Sequence, residues 1–94
     1  MLLIIDLGSQ RKLITTIPKN ATIGTILKKI QSVTAQVDCA IQCKELPQED
    51  QQPDENKKYT ACIYYSNKMM GDAYDLAYTF YLGGEFVVVD GDVL

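Results

Sequence analysis

Residues 22–31 read TIGTILKKIQ, and their spacing decides the fold class. Extended to Val33, the stretch places Ile23, Ile26, Leu27, Ile30 and Val33 at i, i+3, i+4, i+7 and i+10. That is one face of a 3.6-residue period. Lys28, Lys29 and Gln31 fall on the opposite side. The spacing predicts an amphipathic helix over residues 22–35, with Thr22 or, alternatively, Asn20 capping its start. Gly24 sits in the first turn, at a propensity cost of ~1 kcal/mol against alanine.

Outward from the helix the chain reads as strands. Residues 2–7 are apolar apart from Asp6 and suit a strand buried on both sides. A turn at Gly8-Ser9-Gln10 leads into a second strand over residues 11–17, which Pro18 ends because proline cannot donate to a ladder. After the helix, Val37, Cys39, Ile41 and Cys43 alternate with Asp38, Ala40, Gln42 and Lys44, the period of a strand with one buried face. Residues 45–57, with two prolines and a surplus of acid, predict an exposed loop. Strands follow over 58–66 and 74–82, with a turn at 67–72 between them. Gly83-Gly84 is a hairpin signal, and residues 85–89 close the chain as a last strand. The expected order is β-β-α-β-β-β-β in one α+β domain covering residues 1–94.

Composition narrows the function. At 94 residues the chain is near the lower end of what folds on a single core. A hydrophobic fraction of 47% is too high for a disordered segment. The longest apolar runs, residues 1–5 and 86–89, fall far short of the ~20 residues of a membrane helix. Met1 leads directly into an apolar stretch bearing Asp6, with no basic region and no small-residue cleavage site, which predicts a cytoplasmic chain. There is no histidine, so the commonest general base and the commonest metal ligand are both missing. Three serines without a histidine make no hydrolase triad, and no phosphate-binding Gly-x-x-x-x-Gly-Lys loop occurs. Asp90 with Asp92, or Asp72 with Asp75, would supply too few oxygens for a hard cation. The expectation is a protein without catalysis, cofactor or metal.

Cys39, Cys43 and Cys62 are an odd number and suit a reduced thiol set of small buried groups. A bridge from Cys62 to Cys39 or Cys43 across neighbouring strands is left open under oxidising conditions. Charge is uneven: residues 1–36 carry a net +4 and residues 37–94 a net −7. Such a dipolar surface steers encounters. The pI of 4.7 argues against direct nucleic-acid binding.

The opening Met1-Leu2-Leu3-Ile4-Ile5, then Pro18, Thr22-Ile23 and Lys29-Ile30-Gln31, resemble the ubiquitin family of β-grasp proteins. Ala40-Ile41 and Lys44-Glu45-Leu46 are similar to its third strand and following turn, with Cys43 where a glycine is usual. The resemblance covers residues 1–46. It implies a ubiquitin-like, β-grasp-type mixed sheet gripping one helix, with a parallel neighbour for the first strand, a place that residues 85–89 would fill. Conjugated members end in a free Gly-Gly. Here Gly83-Gly84 follows Leu82, but cutting after Gly84 would remove residues 85–89, so conjugation is not expected.

All six tyrosines lie between Tyr59 and Tyr81. If Tyr59, Ile63 and Tyr65 face the core, Tyr64 points away, and Tyr81 opposes the stripe of Tyr74, Leu76, Tyr78 and Phe80. Tyr64 and Tyr81 are thus candidate anchors, since tyrosine is enriched at binding hot spots. Aromatic packing within the sheet is the alternative. Asp72, Asp75 and Glu85 would give such a face an acidic flank suited to a basic protein partner. The expected function is protein–protein interaction without chemistry, with no membrane and no direct nucleic-acid binding. The runner-up is a small inhibitor, of the kind viruses and phages encode, that fills the nucleic-acid site of a host defence enzyme with carboxylates. An unpaired edge at residues 85–89 would also allow two copies to join by strand addition.

Overall fold

The structure, a computed structural model, describes residues 1–8, 11–36, 38–66, 73–83 and 92–93; at 65, 66, 73–76, 92 and 93 it describes the backbone alone. Strand β1 (Leu2–Gly8) pairs antiparallel with β2 (Arg11–Thr16), placing Ile4 opposite Ile14 and Ile5 opposite Leu13. Gly8 takes a φ of 77°, which a side chain would strain, and its amide donates to Asp6 Oδ1 at 2.9 Å. At the open end Ile17 N donates to Met1 O at 2.8 Å and the Met1 amino group to Ile17 O at 3.1 Å.

Helix α1 (Ile23–Val33) is two residues shorter at its C-terminal end than its periodicity predicts. The chain leaves it through Ala35, whose φ of 58° lets Gln36 N donate to Gln31 O at 3.0 Å and Ala35 N to Ser32 O at 3.3 Å. That pair of bonds satisfies the last helical carbonyls and stops propagation. At the other end Thr22 caps, with Thr25 N donating to Thr22 Oγ1 at 3.4 Å. Ile23, Ile26, Leu27 and Ile30 are buried, each contributing ~1.5–3 kcal/mol by removal from water.

Strands β3 (Ala40–Cys43), β4 (Tyr59–Ser66), β5 (Ala73–Gly83) and β6 (Asp92–Val93) complete one sheet in the order β3-β4-β5-β1-β2-β6. Among the described residues every pairing is antiparallel except β2 with β6, and there is one helix, so the fold is α+β with a mixed sheet. The helix packs over Leu3, Ile5, Leu13, Tyr59 and Phe80. Tyr59 and Phe80 are register partners whose rings stack with centroids 5.4 Å apart. The other face is closed at its centre too, where Ile4 is 0%, Cys62 2% and Ile14 8% exposed. Leu3, Ile4 and Ile5 in succession therefore reflect a strand buried on both sides.

Several expectations need correction. Strand β1 has no parallel neighbour: β2 and β5 flank it, both antiparallel, with Ile4 opposite Tyr81 and Ile5 opposite Phe80. The place the resemblance would give to residues 85–89 is thus taken by β5; residues 85–89 and the turn at 67–72 lie outside the described residues, as does the side chain of Tyr74. Strand β3 starts at Ala40 rather than residue 37, because Cys39 is held differently. Its carbonyl accepts from Gln31 Nε2 at 2.6 Å and its thiol donates to Gln36 O at 2.7 Å. Cys39 is only half-buried, unlike Cys43 and Cys62. Cys43 lies opposite Ala61, one residue out of step with Cys62, so those two thiols occupy opposite faces and no bridge joins them.

The loop of residues 45–57 is exposed along most of its length, yet it is also a strap across the helix start. Gly24 N donates to Glu49 O and Ile23 N to Gln51 O, both at 2.9 Å. A Cβ at position 24 would lie 3.2 Å from that Glu49 oxygen, so glycine is there to admit the strap. Among the described residues no helix is long and apolar enough to cross a membrane.

Candidate protein-binding face

Period-two alternation along β4 puts Tyr59 and Ala61 on the helix side and Thr60, Cys62 and Tyr64 on the other. Register carries the same division into β5, where Thr79 faces Thr60 and Tyr81 faces Ile4. Tyr64 and Tyr81 therefore share the sheet face away from the helix, and each is half-exposed.

They do not form one cluster. Asp75 is the register partner of Tyr64, and Tyr81 lies six residues further along β5, about 20 Å away at the usual strand rise. Tyr64 with Asp75 marks one end of the face and Tyr81 the other. The side chain of Asp75, and Asp72 and Glu85 entirely, lie outside the described residues.

Tyr81 is already engaged. Lys58 Nζ sits 5.0 Å from its ring centroid, a cation–π contact of ~0.5–1 kcal/mol at an exposed site. Lys57 Nζ lies over the Tyr59 ring at 5.2 Å, and the Tyr59 hydroxyl accepts from Asp54 N at 3.0 Å. The two lysines before β4 thus each cover an aromatic ring, and Tyr81 carries a cation on its face. Gly83 is buried and paired with Leu2 in the sheet, which makes it part of the scaffold and not of a free tail.

A second constellation, invisible in the one-dimensional pattern, joins β3 to β4. The Glu45 carboxylate accepts Thr60 N through both oxygens, at 3.1 and 3.2 Å, and the Cys43 thiol at 3.4 Å. Partial burial pushes the Glu45 carboxyl upward. The Thr60 amide, the Cys43 thiol and nearby Lys57 outweigh that and hold it below the usual carboxylate range. Burial in turn pushes the Cys43 thiol up to about 11, so it is protonated and unreactive at neutral pH. Only a long-range signal, Glu45 pairing with a residue fifteen positions on, could have revealed this clamp. Beyond it stands Leu46, 88% exposed with a φ of 55°.

Among the described residues no three His, Cys, Asp or Glu side chains converge as metal ligands. No protein-family model, no curated protein and no solved structure matches this chain.

Proposed function

We propose that this chain is a non-catalytic protein-binding module, working in the cytoplasm on a β-grasp-type scaffold and presenting Tyr64 and Tyr81 at the two ends of the sheet face away from the helix. The observation that supports it is the placement of those two tyrosines on one face, half-exposed and away from the helix. Tyrosine offers a large rigid contact area with a polar tip, the property that enriches it at hot spots. Three unbridged thiols suit a reducing compartment. The β-grasp kinship rests on the hairpin and helix of residues 1–46, and the antiparallel β1–β5 pairing is this chain's departure from it. The partner is a protein with a basic surface, drawn by the acidic half that contains Asp72, Asp75 and Glu85.

The test is capture of the partner from the native host, followed by affinity measurement on Tyr64→Ala, Tyr81→Ala and the double variant. The double variant should weaken binding by at least ~30-fold, the scale of a hot-spot loss. Raising salt from ~50 to ~200 mM should weaken binding only modestly, by slowing a charge-steered association while the aromatic contacts persist. Unchanged binding in the double variant refutes the aromatic face. A steep salt response would instead favour the carboxylate mimic of nucleic acid.

A further inference from the structure

We propose that Leu46 is a preorganised anchor for a partner protein that offers an apolar pocket edged with Lys and Arg. This rests on the reading of the chain as a binding module but puts contact on the loop between β3 and β4, at a residue that belongs to no strand. Leu46 is 88% exposed, the one large hydrophobic side chain so placed among the described residues. Exposure of a single leucine is ordinary; its setting is what asks for an explanation. Its backbone lies in the left-handed region, where an L side chain costs ~1 kcal/mol and glycine or asparagine costs far less. Leu46 therefore adds nothing to the core and works against the isolated fold.

The turn that carries it is fixed. Lys44 N donates to Thr60 O at 2.8 Å, and Thr60 N donates back to the Glu45 carboxylate at 3.1 Å. Leu46 N closes the turn on Cys43 O at 3.4 Å. A backbone held by such a clamp has little left to lose on docking, so only the leucine's own rotamer freedom is given up, which is how preorganisation favours binding. Charge identifies the pocket's rim: residues 45–57 carry Glu45, Glu49, Asp50, Asp54 and Glu55 against Lys57 alone, all exposed. A ring of Lys and Arg around an apolar hollow complements that flank.

The experiment uses the full chain in the cells that encode it, with a diazirine analogue of leucine at position 46 and, separately, a benzophenone amino acid at position 81. Irradiation should link position 46 to a partner peptide that is apolar and flanked by Lys or Arg. With the partner so identified, Leu46→Gly should lower affinity roughly tenfold or more while raising the unfolding midpoint, and Leu46→Met should retain affinity. The rise in midpoint excludes misfolding as the cause. Adducts at position 81 but not 46, an adduct to a second copy, an adduct to a polar or acidic segment, or unchanged affinity in Leu46→Gly would each overturn the proposal. Adducts at neither position would overturn the binding-module reading with it.

Discussion

Replacing Gly24 by alanine sets helix propensity against tertiary contact, and the structure decides the sign. Propensity alone favours Gly24→Ala by ~0.8–1 kcal/mol. The added Cβ would lie 3.2 Å from Glu49 O and 3.3 Å from Glu49 Cβ, a few tenths of an ångström inside ordinary contact. The Glu49 carbonyl is itself bonded to Gly24 N at 2.9 Å, and its neighbour Gln51 O to Ile23 N at 2.9 Å. The strap must retreat, and in doing so it stretches both bonds. Each is worth ~0.5–1.5 kcal/mol net, so a retreat that breaks both outweighs the propensity gain and leaves a deficit of about 1 kcal/mol. For a domain of this size that lowers the melting midpoint by ~4–8 °C. The assay is urea unfolding followed by far-ultraviolet circular dichroism, with an unchanged slope required for the comparison. Ser32→Ala, exposed on the same helix, serves as reference and should gain ~0.5 kcal/mol. Hydrogen exchange at the Ile23 and Gly24 amides should accelerate in Gly24→Ala. If Gly24→Ala gains stability as Ser32→Ala does, the strap is no constraint and the reasoning fails.

Three other outcomes follow from the same geometry. Ala35→Gly should stabilise the fold by ~0.5–1 kcal/mol in thermal melts, because it relieves the left-handed φ of 58° at the helix exit; a loss of stability would deny that strain. Glu45 has a folded pKa below its unfolded value, so its contribution is complete above about pH 4.3 and fades as pH falls through the folded value. The stability gap between the native chain and Glu45→Gln should therefore shrink on acidification, and a gap constant with pH would show the clamp does not depend on charge. Titration with a thiol-reactive disulfide at neutral pH should modify at most Cys39 rapidly, with Cys43 and Cys62 reacting only after unfolding; fast modification of all three would contradict their burial.

The pattern of Ile23, Ile26, Leu27 and Ile30 is read from sequence because a helix repeats every 3.6 residues and its buried face must repeat with it. The unbroken Leu3-Ile4-Ile5 likewise announces a strand covered on both sides. The division of β4 between Tyr59 and Tyr64 follows from period two alone. These are local regularities, written in consecutive residues. What lies opposite a strand is not. That β1 has β5 beside it, running antiparallel, depends on which edges meet in space, and any apolar strand of suitable length offers the same signal. The separation of Tyr64 from Tyr81 depends likewise on the β4–β5 register, which sets Tyr64 opposite Asp75.

Gly24 shows the boundary most sharply. In sequence it is a weak residue in a helix; in the fold it is the gap through which a strap from residues 49–51 reaches two helical amides. Glu45 and Leu46 are likewise ordinary loop residues until Thr60, far along the chain, clamps the turn between them. Sequence by itself determined the helix, the hairpin of β1 and β2, the strands β4 and β5 and the faces they bury, because backbone period and side-chain polarity are properties of neighbours; the short β6 at Asp92–Val93 left no such signal. Tertiary structure alone decided strand partners, the strap and the clamp, because each is a hydrogen bond or close contact between residues that share no local pattern.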